Sequence, residues 1–123
     1  MIQIDNNSSR AIYEQIYDEI TRLILSKVLK PDEQLPSVRE LAALLKINPN
    51  TIQKAYKFLE IDNYIYTVKG KGNFVKNADE LRSIHINKTK EELNHTIKSL
   101  KELGIKDDTV IELVKKILEP YEG

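Results

Sequence analysis

The chain has 123 residues, of which 41% are hydrophobic and 31% are charged, so its size and composition predict one globular domain with a short appendage. It contains no cysteine, which excludes disulfides, thiolate catalysis and cysteine-based zinc sites. No apolar run approaches the roughly 20 residues that span a bilayer, and the N-terminus lacks the pattern of a signal peptide, so we expect a cytoplasmic protein.

The formal net charge is zero, but the charges are unevenly distributed along the chain. Residues 36–76 carry seven cations against three acids, whereas residues 78–123 carry eight cations against ten acids. A concentration of basic charge on one segment is typical of a nucleic-acid-binding surface. The alternative explanation is a set of solvated helix faces of mixed sign.

Two helices are predicted in the first part of the chain. Apolar residues recur at steps of three and four between residues 10 and 28, which predicts an amphipathic helix. A second helix is predicted to begin after Ser37, because Ser37 and Glu40 have the spacing of a capping box. The residues of this helix that should face the core are Leu41, Leu44 and Leu45.

A third helix and a hairpin are predicted to follow at once. Asn48 can cap the helix, and Pro49 fits its first position, where a missing backbone N–H costs nothing. Asn63 is expected to end the helix with a positive φ. Strands at residues 64–68 and 73–75 are separated by a glycine-containing turn, which predicts a hairpin. The predicted fold class is therefore mainly α with a small β-hairpin wing, in the order of a winged helix-turn-helix.

The predicted third helix and wing carry side chains suited to reading DNA. Asn50 and Gln53 have amides that can pair with adenine, and Thr51 can meet a phosphate or a thymine methyl group. Arg39, near the start of the predicted second helix, has a planar guanidinium that matches guanine or phosphate. The lysines suit phosphates, and the wing glycines allow the backbone to approach DNA closely. The predicted DNA-binding residues are Ser37, Arg39, Asn48, Asn50, Thr51, Gln53, Lys54, Lys57, Lys69, Gly70, Lys71 and Gly72.

Three stretches of the chain closely resemble the N-terminal domain of the GntR family of bacterial transcription regulators, namely residues 35–42, 48–59 and 70–75. The resemblance covers roughly residues 10–76. It implies a winged-helix, sequence-specific DNA-binding regulator, which we expect to be a repressor. The residues that it assigns to operator contact are Arg39, Asn50, Thr51, Gln53 and Gly70.

The chain departs from the family pattern at a few positions. The family usually has glycine where Asp32 and Asn63 stand, and both of these residue types accept positive φ, so the turns are expected to survive. It usually has proline in place of Ala11 and often threonine in place of Asn73. Pro49 stands where many members have a polar or basic side chain, so their operator preference does not carry over to this chain.

The residues after Asn77 predict two further helices, the first ended by Gly104 and the second capped by Asp107 or Asp108. Their apolar stripes expose more surface than two helices can bury between themselves, which favours a second subunit as cover. The alternative is that the tail folds back on its own domain. The predicted dimerisation residues are Leu93, Ile97, Leu100, Leu103, Val110, Leu113, Val114 and Ile117.

The predicted domains are thus a winged-helix DNA-binding domain at residues 1–77 and a helical dimerisation tail at residues 78–123. So short a tail resembles that of the YtrA subfamily, which implies a homodimer on a palindromic operator, often in an ABC transporter operon. A small-molecule effector would bind between tail and reading domain or at the dimer interface, although the sequence names no ligand. No cofactor is expected.

Other functional classes have little support in the sequence. His85 and His95 are ten residues apart, which is not the spacing of a helical metal pair, so no metal site is predicted. No nucleophile elbow, P-loop or Rossmann glycine pattern occurs, which argues against an enzyme. The remaining alternative is a winged helix used as a protein-interaction module, with Phe58 and Tyr64 as its candidate anchors.

Overall fold

The computed structural model describes residues 2–120 and divides the chain into two compact units, the first ending at Arg82 and the second beginning at Ser83. None of the helices among residues 2–120 combines the length and the hydropathy that a membrane-spanning helix requires. The elements are α1 (Ile12–Leu25), α2 (Val38–Leu45), α3 (Pro49–Ile61), β1 (Ile65–Val68), β2 (Gly72–Val75), α4 (Asp79–Glu102) and α5 (Asp107–Leu118). This order confirms the predicted winged helix-turn-helix followed by a helical segment.

The first unit extends beyond residue 77. Ala78, which precedes α4, is buried, and Leu81 in the first turn of α4 packs against the same core. The chain therefore leaves the core of the first unit only after the first turn of α4. The functional limits of the two domains, 1–77 and 78–123, stay predictions.

Helix α1 is amphipathic as predicted and buries Ile16, Ile20 and Ile24. It is shorter than the predicted range of 10–28, because it begins after Ala11 and ends at Leu25. Lys27 has a φ of 65°, a left-handed conformation that a right-handed helix cannot continue through.

Helix α2 has the predicted capping box. The Ser37 hydroxyl accepts a hydrogen bond from the Glu40 backbone N–H at 3.1 Å, and the Glu40 carboxylate accepts one from the Ser37 N–H at 3.3 Å. Leu41 is buried and Leu45 packs against the core, but the prediction for Leu44 is wrong, since its side chain is 69% exposed. Ala42 is buried instead, because around the helix axis it lies to the same side of Leu41 as Leu45 does. Leu44 lies to the other side of Leu41 and faces solvent.

Helix α3 begins as the sequence predicted. The Asn48 side-chain oxygen accepts a hydrogen bond from the Asn50 N–H at 2.8 Å, and Pro49 occupies the first helical position. Asp62 follows the last residue of the helix, and Asn63 has the predicted positive φ, at 66°. The inward face of α3 consists of Ile52, Ala55, Tyr56 and Leu59.

Strands β1 and β2 form the predicted antiparallel hairpin, with Ile65 opposite Val75 and Val68 opposite Gly72. The connector between α1 and α2 adds to this hairpin, which the sequence did not predict. The Asp32 N–H donates to the Val75 carbonyl at 2.7 Å, and the Leu35 N–H donates to the Asn73 carbonyl at 2.9 Å. The positive φ of Asp32, 67°, confirms that aspartate substitutes for glycine at this turn.

The second unit contains the rest of α4 and all of α5. Gly104 ends the α4 segment as predicted, with a φ of 86°. The prediction that Asp107 or Asp108 caps α5 is wrong, because Lys106 holds the N-cap position and both aspartates lie in the first turn. Their charges still stabilise the positive end of the helix dipole there. Lys101 and Asp107 form a salt bridge of 2.9 Å between the two helices.

Candidate nucleic-acid interface

The start of α2 presents Arg39 to solvent on a well-defined helix end. Arg39 lies in the first turn, and its side chain is exposed. The Ser37 hydroxyl oxygen accepts the capping hydrogen bond, and the hydroxyl proton can still be donated to a phosphate oxygen of DNA. The capping box thus fixes the backbone from which the Arg39 guanidinium reaches outward.

The first turns of α3 carry the predicted base-reading side chains. Asn50 and Gln53 are exposed, and Thr51 is half-buried. Asn48 is also exposed, but its side-chain oxygen is engaged in capping the helix, so we assign it a structural role besides any DNA contact. Ile52 is buried, and Asn50 and Gln53 project from other sides of the helix, so their side chains point outward.

A partly buried hydrogen bond connects α3 to the segment that leads into α2. The Tyr56 hydroxyl donates to the Pro36 carbonyl oxygen at 2.7 Å. Burial, with a smaller contribution from the charge of Glu40, raises the pKa of Tyr56, so the hydroxyl keeps the proton that it donates. The two helices that carry Arg39 and Asn50 are thereby held to each other.

The lysines of α3 have different surroundings. The Lys54 ammonium lies 4.1 Å from the centroid of the Tyr13 ring, in a cation–π contact with α1. Tyr13 in turn stacks on Phe58, with ring centroids 5.8 Å apart. Lys57, three residues further along α3, is exposed. Sequence reasoning missed Tyr13, because its contact with Lys54 joins residues far apart in the chain.

The wing turn places two lysines beside two glycines. Lys69 and Lys71 are exposed, and the turn is closed by a hydrogen bond from the Lys71 N–H to the Val68 carbonyl at 2.9 Å. Gly70 and Gly72 have φ values of 77° and 130°, which L side chains rarely adopt. The turn therefore favours glycine at both positions, whatever contact it makes with DNA.

All twelve predicted DNA-binding residues lie in the first unit. Ten of them are exposed, and Thr51 and Gly72 are half-buried. They occupy two regions, the helix-turn-helix and the wing turn. Among residues 2–120, no group of three or more His, Asp or Glu side chains is placed to hold a metal ion.

The apolar anchors needed for a protein-interaction module are poorly placed. Tyr64 is buried in the core, and Phe58 is stacked on Tyr13. Ile61 is exposed but lies in the last turn of α3, away from the polar first turn. The outward face of α3 is therefore polar and basic where a DNA-reading helix needs it to be.

The predicted dimerisation residues of the second unit are mostly accessible in the single chain. Leu103 is 79% exposed and Ile117 is 71% exposed, and Leu93, Leu113 and Val114 are also exposed. Ile97 and Leu100 are half-buried. Val110 is buried, so the chain itself already covers this one of the eight predicted side chains.

The capped helix-turn-helix, its polar outward face and the basic wing define a winged helix-turn-helix DNA-binding domain. Residues 12–75 match the family model described as bacterial regulatory proteins, gntR family, and the chain belongs to that family. Membership of a family of regulatory proteins confirms the prediction that the chain is not an enzyme.

Comparison with known proteins extends the similarity to the tail. The chain is 38% identical to the HTH-type transcriptional repressor YtrA of Bacillus subtilis over 125 aligned residues, which cover 100% of this chain and 96% of that protein. A transcriptional regulator from Oenococcus oeni has a similar structure, with a TM-score of 0.73 and 35% identity over 96% of this chain and 99% of that one.

A solved protein–DNA complex is also similar to the first part of the chain. AraR(DBD) in complex with operator ORE1 matches with a TM-score of 0.53 and 28% identity, over 61% of this chain and 92% of that one. The same fold therefore binds an operator in that protein.

Proposed function

We propose that the protein is a transcriptional repressor that binds a palindromic operator as a homodimer in the cytoplasm. The observation that carries the proposal is the exposed polar face at the start of α3, fixed by the Asn48 cap and by the Tyr56 hydrogen bond. The similarity to a repressor over the full chain supports the sign of regulation.

The proposed contacts divide into base reading and backbone anchoring. Arg39, Asn50 and Gln53 have planar groups that can make paired hydrogen bonds to base edges in the major groove. Lys57 and the wing lysines are point charges, which suit phosphates and carry no sequence information. Thr51, at the helix start, suits a phosphate or a thymine methyl group. Specificity should therefore depend on the first group and salt sensitivity on the second.

The second unit supplies the proposed dimer contact. Side chains as apolar and exposed as Leu103 and Ile117 are costly to leave in water, and a twofold partner would cover them with the same surface. A twofold dimer also presents two copies of α3 to the two halves of a palindrome. The proposed contact residues are Leu93, Ile97, Leu100, Leu103, Leu113, Val114 and Ile117.

The proposed target is an operator in an ABC transporter operon, as the resemblance to the YtrA subfamily implies. One reading unit contacts only half of such a site, so affinity depends on the spacing that the dimer imposes. A small-molecule effector that changes this spacing would release the operator.

The proposal is tested by fluorescence anisotropy with a labelled duplex selected from random DNA by the protein itself. The protein should bind this duplex at least about a thousandfold more tightly than a scrambled duplex of the same composition, with affinity that falls steeply with salt. Sedimentation should show two chains per duplex. Equal affinity for both duplexes would contradict the proposed function.

A further inference from the structure

We propose that Gln34 is a positioning residue for DNA binding, which holds the wing turn in register with the start of α2. This inference rests on the proposed function and concerns a residue outside the predicted contact set. Gln34 lies in the connector between α1 and α2, thirty-seven positions before the residue that it contacts in the wing.

The side chain and backbone of Gln34 both contact the hairpin. The Gln34 amide nitrogen donates a hydrogen bond to the Lys71 carbonyl oxygen at 2.9 Å. Its backbone pairs with Phe74 in an isolated antiparallel bridge, and the adjacent Leu35 N–H donates to the Asn73 carbonyl at 2.9 Å. The backbone of Gln34 thus pairs with β2, and its side chain extends this pairing to the wing turn.

The wing turn is shaped around this amide. A Cβ atom at Gly72 would lie 2.8 Å from the Gln34 amide nitrogen, a distance that real Cβ atoms do not adopt. The glycine thus removes the atom that would push the amide away. Gly72 serves two purposes, because its φ of 130° also requires glycine.

The contact matters because it joins the two proposed contact regions. Lys71 carries one of the wing charges, and its backbone carbonyl is the acceptor for Gln34. On the other side, Gln34 is followed by Leu35, which is buried, and soon by Ser37, which caps α2. The wing turn and the start of α2, which presents Arg39, are therefore both held by the short segment from Gln34 to Ser37.

Gln34 contributes little to the stability of the fold as a whole. Its side chain is exposed, so water can replace the hydrogen bond when the side chain is removed. The wing turn itself would then be held by the hydrogen bond from Lys71 to Val68 and by the two strands. What is lost is the restraint on where the turn lies. Ordering a mobile turn again on DNA costs free energy, so part of its contact with phosphate is given up.

The test substitutes Gln34→Met, which keeps the length and neutrality of the side chain and removes the donor. Anisotropy titrations of the full chain on the selected duplex, at several salt concentrations, should show binding weakened about two- to tenfold, the worth of one neutral hydrogen bond. The slope of log affinity against log salt should fall by about one, as one wing phosphate contact is lost. Thermal unfolding should change little.

Two further backgrounds separate positioning from a general structural effect. In a protein that also carries Lys69→Ala and Lys71→Ala, Gln34→Met should cause no additional loss, because the charges that it positions are gone. In the Lys57→Ala background the full loss should remain, since Lys57 is on α3 and outside the wing.

A Gln34→Met protein with unchanged affinity and salt slope would overturn the inference, and so would an equal loss in the protein without the wing lysines. Equal affinity of the unmodified protein for selected and scrambled duplexes would instead contradict the proposed function, and the inference would fall with it.

Discussion

The Tyr56 hydroxyl donates a hydrogen bond to the Pro36 carbonyl at 2.7 Å, across the interface between α3 and the segment that enters α2. Tyr56 is buried, and the ring packs in the core formed by α1, α2 and α3. Because the acceptor lies directly before the Ser37 cap, this bond fixes the start of α2 to the reading helix. The positions of Arg39 and Asn50 are thereby coupled through the core.

Tyr56→Phe should lower the free energy of unfolding by about 1–2 kcal/mol, because it removes a hydrogen bond and leaves the Pro36 carbonyl without this donor. Tyr66→Phe is the matched control. The Tyr66 hydroxyl donates to the Asp32 carboxylate at 2.8 Å, but on the exposed face of the wing, where water can replace it. Urea unfolding of both variants makes the comparison, and equal losses would contradict the role given to Tyr56.

The raised pKa of Tyr56 predicts a loss of stability in alkali. Burial keeps the folded hydroxyl neutral, whereas the same group in the unfolded chain ionises around its ordinary value of 10.0. Above about pH 10 the unfolded state therefore binds fewer protons than the folded state, and the free energy of unfolding falls as pH rises. Tyr17, whose pKa is raised by burial and by its hydrogen bond to Asp62, acts in the same direction.

The measurement compares urea unfolding of the unmodified protein and Tyr56→Phe between about pH 8 and pH 11. Below pH 10 the difference between them should be constant, and above it the unmodified protein should lose stability faster, by up to about 1.4 kcal/mol per pH unit. Parallel curves over the whole range would show that Tyr56 titrates as it does in the unfolded chain.

The contact between Lys54 and Tyr13 should appear as a coupling free energy. Removing both partners, with Lys54→Met and Tyr13→Leu, should cost less than the sum of the single changes by about 0.5–1 kcal/mol. Tyr13→Phe is the control, because it keeps the ring face that the ammonium contacts and the stacking on Phe58. A cycle that starts from the Tyr13→Phe protein should give the same coupling free energy. Additive losses from Lys54→Met and Tyr13→Leu would exclude the interaction.

A charge on the apolar surface of the second unit should separate the proposed dimer. Leu103→Glu places a carboxylate at a side chain that is 79% exposed in the single chain, so it leaves the folded subunit intact. In the dimer the same charge would be buried without a partner, which is strongly unfavourable. Sedimentation should show a monomer that keeps its helical content.

The matched control for that experiment is Val28→Glu, which changes a 63% exposed apolar residue in the first unit. This variant should sediment as the unmodified protein does. If the unmodified protein is itself monomeric at micromolar concentration, or if both variants dissociate it, the proposed dimer surface is wrong.

Features encoded within a few residues were predictable from the sequence. The capping box of Ser37 and Glu40 was one, and the Asn48 cap before Pro49 was another. Positive φ at Asn63 followed from residue type and its position after the helix, and positive φ at Asp32 followed from residue type and the glycine that the family usually has there. These are local rules, so they need no knowledge of which elements pack together.

Features that depend on packing were missed. The exposure of Leu44 follows from the direction in which α2 lies on α3, which periodicity alone does not specify in a helix so short. The contact of Gln34 with Lys71 joins residues with no local pattern between them. The same holds for the contact of Lys54 with Tyr13. The contacts that hold the candidate site in place were therefore less predictable than its exposed residues.

We propose that the exposed face of α2 and α3 reads a specific DNA sequence. The most direct measurement is a comparison of Arg39→Ala and Lys57→Ala by anisotropy on the selected and the scrambled duplex, across several salt concentrations. Arg39→Ala should weaken binding to the selected duplex by about 1–3 kcal/mol and hardly affect the scrambled one, whereas Lys57→Ala should weaken both equally and lower the salt slope by about one. Equal effects of Arg39→Ala on both duplexes would contradict the claim.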